Sequence, residues 1–283
     1  MISLFSVSSI SSLILVGFGF IYYYVFHGKR RQKIFIQNFE KDIVYLFQFP
    51  SSRNISCISP FAVKIETYLK LKNIPYKSIR TIKQWSSKSQ IPFIEWNGQQ
   101  IADSNFILDF LVDKFQTQDN ISDFEKGLSR AIEMMLDNQT VWSYFYYRYV
   151  EKASDFINSW TFTTPFRRKI IGFFFPRGFK NRSYHHGIGR HSPSEIYEIG
   201  KKDLMAISNI LGDRKFLLGD KMTTVDCYIF GHLCQILYIP SVNYPHIEFL
   251  KTDCKNLVEF THRIIDKLWP EWNEFSHIIP ISQ

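Results

Sequence analysis

The residues best placed to do chemistry are Ser59, Cys57 and the pair Asp103-Ser104. Ser59 stands before Pro60, and that order predicts a helix start, with serine as the cap and proline at the first helical position. Asp103 and Ser104 precede Phe106, Ile107, Phe110 and Leu111, which recur at helical spacing, so a second helix begins there. A helix start offers unpaired N–H donors and a partial positive charge, which suit a carboxylate. The expectation is that the two starts meet at one hollow. Cys57 lies in the loop just before the first start and is a second candidate nucleophile. His185, His186 and His191 suggest metal, but no carboxylate or cysteine is placed to complete a site, so no metal is expected. Cys57, Cys227, Cys234 and Cys254 show neither a C-x-x-C pair nor a zinc spacing, which suits a reducing compartment rather than a disulfide framework.

These residues need a scaffold. Residues 43–49 form a nearly continuous apolar run rich in strand formers, which predicts a buried strand. A helix over 60–73 and a second strand over 75–82 follow, the two strands parallel if the crossover rule holds. Ile91-Pro92 then opens a strand over 93–96, and Asn97-Gly98 supplies the positive φ values of a two-residue hairpin. The return strand covers 99–102. Residues 42–118 thus read as one small α/β domain.

Residues 119–283 read as all helical. The apolar spacing over 125–150 predicts one long amphipathic helix. Its end, 142–149, is aromatic on every face, and Trp142, Tyr146 and Tyr149 are candidates for an apolar ligand wall. Residues 154–193 look the least regular. A helix over 194–211 stops at Gly212, Thr223 to Asp226 is a capping box for the next helix, and a last helix spans 247–268.

The N-terminus has a different character. No charged side chain occurs from Ile2 to Phe26, a length that can cross a bilayer as a helix, which takes about 20 residues. Lys29, Arg30, Arg31 and Lys33 follow it, so the positive-inside rule puts the rest of the chain in the cytosol. Residues 1–28 are therefore expected to be a membrane anchor and 29–41 a basic spacer. The net charge of +8 is concentrated there and in 167–190, which argues against a nucleic-acid partner.

The order proline, strand, Asn-Gly, strand, Asp-Ser, helix over 91–109 resembles the second half of the thioredoxin-like domain of glutathione transferases. The Phe-Leu-Leu-Gly-Asp stretch at 216–220 before the capping box resembles their helical second domain. Three stretches are similar to the failed axon connections family, which includes nematode cadmium-responsive proteins and is related to the metaxins. They are Ser59-Pro-Phe-Ala-Val-Lys-Ile-Glu-Thr-Tyr-Leu69, Ile91-Pro-Phe-Ile-Glu-Trp-Asn-Gly98, and Gly187-Ile-Gly-Arg-His191 with Glu195 and Gly200 following.

This resemblance covers roughly 42–270. It implies an α/β thioredoxin-like N-terminal domain, with a cis Ile91–Pro92 bond, plus an all-α glutathione-transferase-like C-terminal domain. It implies that Ile91, Pro92, Asp103 and Ser104 hold glutathione, a possible co-substrate, and that no cofactor is needed. Ser59 occupies the position where glutaredoxin-like relatives carry a redox cysteine, which excludes thiol–disulfide chemistry there. Its hydroxyl could instead donate to the glutathione sulfur. Homodimers are common among proteins of this resemblance. The role it implies lies in stress response, to cadmium or xenobiotics, or in neuronal development. Two functions follow: a membrane-anchored binding or adaptor protein, preferred here, and a transferase acting on hydrophobic electrophiles.

Overall fold

The computed structural model describes residues 33–52, 54–160, 163–239 and 244–277. The expected anchor over 1–28 lies outside them. Among the described residues no helix is long and apolar enough to cross a membrane.

The first half is built on a four-stranded sheet in the order β2-β1-β3-β4. The strands are β1 (Val44–Gln48), β2 (Tyr76–Arg80), β3 (Phe93–Trp96) and β4 (Gln99–Ala102), with α1 (Pro60–Leu71) between β1 and β2. β1 pairs parallel to β2 and antiparallel to β3, and β3 pairs antiparallel to β4. Every residue of β1 is buried, because both faces of the sheet are covered. Asn97 and Gly98 take φ of 46° and 78°, the pair of left-handed values that a tight hairpin requires. The Ile91–Pro92 bond is cis. After β4, Asp103 caps α2 (Ser104–Phe115) by accepting the Asn105 N–H at 3.0 Å.

The presumed spacer is partly structure. Phe35 and Ile36 lie on the sheet face away from α1, against Phe47 and Phe93, whose rings stack at 4.3 Å. The Phe35 and Ile36 N–H groups both donate to the buried Glu95 carboxylate, each at 2.9 Å.

The second half is helical. Residues Asp123–Glu151 form one helical run, but not the uniform helix expected. It consists of α3 (Asp123–Met135), a π turn at Leu136–Thr140, α4 (Val141–Tyr146) and a second π turn at Tyr147–Glu151. A capping box of Ser122 and Glu125 starts it. The stretch expected to be least regular holds α5 (Ala153–Asn158) and α6 (Pro165–His186), the latter 22 residues long. Pro176 and the glycines Gly172 and Gly178 hid α6 from the pattern reading. The outer helices are α7 (Pro193–Leu211), α9 (Pro245–Thr252) and α10 (Lys255–Leu268), so the predicted last helix is broken at Asp253-Cys254.

α8 (Thr224–Leu237) is the axis of the molecule, with all but its ends buried. Asp226 fixes its start by accepting the N–H groups of Thr223 at 2.7 Å and Leu217 at 2.9 Å. α8 lies along α1, and one core runs from Val44 and Tyr68 of the first half to Leu233 and Phe260 of the second. α1 is therefore buried nearly all round rather than on the single face its periodicity suggested.

Candidate functional site

The start of α1 is held from behind by the helical half. Arg148 is fully buried and donates to the Ile58 carbonyl at 3.2 Å, to the Gln235 side chain and carbonyl, each at 3.2 Å, and to the Tyr244 hydroxyl. Gln235 in turn donates to the Cys57 carbonyl at 3.1 Å. Rings of Tyr144, Phe145, Tyr149, Phe156 and Tyr244 surround the guanidinium at 5.2 to 5.6 Å, where their faces stabilise the cation. The loop 57–59 is thus set by Arg148 and Gln235. Neither was read from the sequence, where the one arginine inside an aromatic run was the available signal.

Ser59 takes the N-cap position of α1 with extended backbone, but its side chain makes no capping hydrogen bond. The predicted cap is a cap in position only. The hydroxyl instead lines an apolar cavity of about 400 Å³ with Phe61, Trp85, Ile91, Phe145 and Tyr149. Cys57 does not reach this cavity. It is fully buried, and burial pushes its thiol up to about 11, so it carries no thiolate at neutral pH.

A second cavity of about 510 Å³ lies beside the first and is far more polar. Pro92, Asp103, Ser104 and Asn105 line it from the sheet half, Asp137 and Trp142 from the long helical run, and Arg182 and His186 from α6. Phe61, Ile91 and Phe145 line both cavities, so the two adjoin. Of the two serines expected at a common hollow, Ser59 lines the apolar cavity and Ser104 the polar one that adjoins it. The Asp103 carboxylate on one side and the Arg182 guanidinium on the other suit a ligand bearing both an ammonium and a carboxylate.

The wall also differs from expectation. Tyr149 lines the apolar cavity and Trp142 the polar one, where His186 stacks on the Trp142 ring at 4.2 Å. Tyr146 belongs to neither. It packs with Ile188 and Ile196, because the 3-10 turn Ile188–Arg190 and the start of α7 cover that flank. Phe145 takes the wall position instead.

Beneath the polar cavity lies a buried network. Lys64 of α1, fully buried, donates to Asp137 and to the Asn105 side chain, each at 2.7 Å. Asp137 also meets His232 Nε2 at 3.0 Å, and His232 Nδ1 lies 2.8 Å from the Tyr144 hydroxyl. Burial lowers the His232 pKa below its usual value and so favours the neutral ring, in which Nε2–H donates to Asp137 and Nδ1 accepts from Tyr144. Burial alone would raise Asp137, but the hydrogen bond from His232 and the charge of Lys64 hold its carboxyl at about 2. Asp137 is ionised, and this ties α1 to the helical run 73 residues away. Among the described residues no three His, Cys, Asp or Glu side chains are grouped to hold a metal.

The comparisons agree with this architecture. The family model described as glutathione S-transferase N-terminal domain matches residues 60–154, and the one described as glutathione S-transferase C-terminal domain matches residues 200–264. The chain is 34% identical over 253 residues to failed axon connections of Drosophila melanogaster, covering 84% of this chain and 60% of that protein. It is 26% identical over 238 residues to an isoprene-epoxide–glutathione S-transferase of Rhodococcus, covering 78% of this chain and 98% of that one. With mouse metaxin-2 it shares 21% over 220 residues, covering 75% and 83%. The chain is a metaxin-related, glutathione-transferase-like protein.

This transferase-like chain spans only 60% of the length of failed axon connections. A solved glutathione S-transferase of Methylobacterium radiotolerans, in complex with glutathione sulfonate, matches its fold with a TM-score of 0.55 at 16% identity, covering 85% of this chain and 96% of that one.

Proposed function

We propose that this protein binds a peptide-like thiol such as glutathione in the polar cavity and an apolar molecule in the cavity beside it, acting as a binding or adaptor protein. The division of apolar and polar lining between two adjoining cavities carries this reading. Ser104 lines the polar cavity and Ser59 the apolar one, with Phe61, Ile91 and Phe145 common to both. Efficient transfer needs the sulfur, its hydrogen-bond donor and the electrophile at near-contact distance.

One observation favours a second reading, an active transferase. The Ser59 hydroxyl is free of capping duty and faces an apolar cavity suited to a hydrophobic electrophile. There it could donate to a glutathione thiolate. The relative named for isoprene-epoxide conjugation supports this reading too.

Calorimetric titration of the protein with glutathione, followed by an assay with a generic aromatic electrophile, separates the two. Binding that Ser104→Ala weakens, without turnover, is the expected result. Turnover abolished by Ser59→Ala establishes the transferase instead, and absence of any glutathione binding sinks both.

The membrane tether belongs to the same proposal. The uncharged run from Ile2 to Phe26 with its basic flank supports a single-pass anchor and a cytosolic domain. Carbonate-resistant membrane association that is lost on deleting residues 2–26 would establish it. The role in cadmium or xenobiotic stress, or in neuronal development, stands on the resemblance. Induction of the protein by cadmium, without stoichiometric metal retained in equilibrium dialysis, is the outcome that fits a binder rather than a chelator.

A further inference from the structure

Helix α6 turns an apolar face to solvent. Nine large hydrophobic side chains are exposed among the described residues, and six lie on this one helix: Phe166, Ile170, Phe173, Phe174, Phe175 and Tyr184. At about 100° per residue, Phe166, Ile170, Phe173 and Tyr184 form a single stripe with Phe174 at its edge. The opposite side of α6 carries Phe179 and Ser183, which are buried, so the exposed stripe is the face the fold leaves over.

The charges on α6 are of one sign. Arg167, Arg168, Lys169, Arg177, Lys180 and Arg182 occur between Pro165 and His186, with no aspartate or glutamate. Lys169 and Lys180 lie along one edge of the stripe and are exposed. Arg177 lies within it, its guanidinium 4.0 Å from the centre of the Phe173 ring. Aromatic side chains at the centre with long cationic side chains at the rim is the pattern of a helix that lies in the plane of a membrane interface. There rings enter the acyl boundary while ammonium and guanidinium groups reach lipid phosphates.

We propose that the outer face of α6 docks on an anionic lipid surface. A protein partner would need an acidic groove matched to 22 residues without one carboxylate, whereas an anionic leaflet supplies continuous negative charge with no shape to match. The contact is separate from the anchor expected in residues 2–26 and does not depend on what the cavities bind. It has a consequence for them, however. Ile171 and Phe175, on the side of α6 opposite the stripe, line the apolar cavity, so docking leaves one helix between that cavity and the phase in which apolar molecules concentrate.

The test uses the full chain. All four native cysteines are buried, so a cysteine introduced by Phe174→Cys takes a thiol-reactive, polarity-sensitive fluorophore selectively. Asp123→Cys, at the exposed start of α3, provides the control label. Each labelled protein is mixed with phosphatidylcholine vesicles, or with vesicles containing roughly one-third phosphatidylserine. The expected result is a blue shift and a gain of about twofold or more in emission at position 174 on anionic vesicles only. The label at 123 stays unchanged, and Lys169→Glu with Lys180→Glu abolishes the response. Circular dichroism checks that this exposed pair leaves the fold intact. A water-like label at 174 on anionic vesicles would overturn the proposal. So would an equal response on neutral vesicles, an equal response at 123, or a concentration-dependent shift without lipid, which would assign the face to a second copy of this chain.

Discussion

Gly231 of α8 approaches the first turn of α1 so closely that a Cβ built on it would stand 2.7 Å from the Pro60 carbonyl oxygen and 3.1 Å from the Lys64 nitrogen. Both are backbone atoms of a buried helix and have little room to move. This contact sets how near the helical half comes to Ser59, the residue just before Pro60. Gly231→Ala is expected to destabilise the protein by about 1–3 kcal/mol through overpacking, read as a lowered calorimetric midpoint. It also shifts Ser59, so affinity for an apolar probe of the neighbouring cavity falls. An unchanged midpoint would mean that the two helices slide apart freely.

The Lys64–Asp137 pair joins the two halves at 2.7 Å with Lys64 fully buried. Lys64→Met leaves the Asp137 carboxylate with His232 and no cation, and the expected loss is about 3–5 kcal/mol in urea unfolding. Lys64→Met with Asp137→Leu should recover part of that loss. Failure of the double variant to improve on the single one would show that the charge is not the cause.

Asp137 also predicts an acid limb. Its folded pKa, about 2, lies below the usual 3.8, so the unfolded chain binds the proton more readily. The stabilisation is complete above about pH 4 and is lost as pH falls through 2. Asp137→Asn should flatten this limb relative to the parent protein when stability is followed across that range.

His246 acts at higher pH. It is fully buried between Tyr197 and Gly200, and burial, with Lys201 nearby, drives its pKa from 6.5 down to about 4. The unfolded state then binds more protons between these values, so stability falls as pH drops from 6.5 to 4. The size is about 3 kcal/mol. Asp226 and Glu133, raised by burial to about 6 and about 7, oppose this in the parent protein. The contribution is therefore read as the difference between parent and His246→Leu, which should grow in the variant's favour as pH falls. A pH-independent difference would contradict the assignment.

Arg148→Met should cost about 3–5 kcal/mol, since it leaves the Ile58 and Gln235 carbonyls and the Tyr244 hydroxyl without their donor. Apolar-probe binding should fall as well, because the loop bearing Ser59 loses its support. Stability lost with binding unchanged would make Arg148 purely structural.

The local sequence determined what depends on neighbours along the chain. The Asn97-Gly98 turn, the Asp103 cap, the start of α1 at Pro60 and the box at Thr223–Asp226 are all set by residues a few positions apart. Their energies are backbone dihedrals and short hydrogen bonds, which residue type fixes directly. Only the tertiary structure decided the rest. α6 carries apolar side chains on more than one side, exposed rings on one and cavity-lining rings on another, so no single period betrayed it. Trp142, Phe145, Tyr146 and Tyr149 look alike in sequence, yet Tyr146 was claimed by Ile188 and Ile196 once those packed against it. Arg148 and Lys64 found partners 90 and 73 residues away, a pairing set by how α1 lies against the helical half. Which cavity each of Ser59 and Ser104 lines has the same origin, because both linings draw residues from the two halves of the chain.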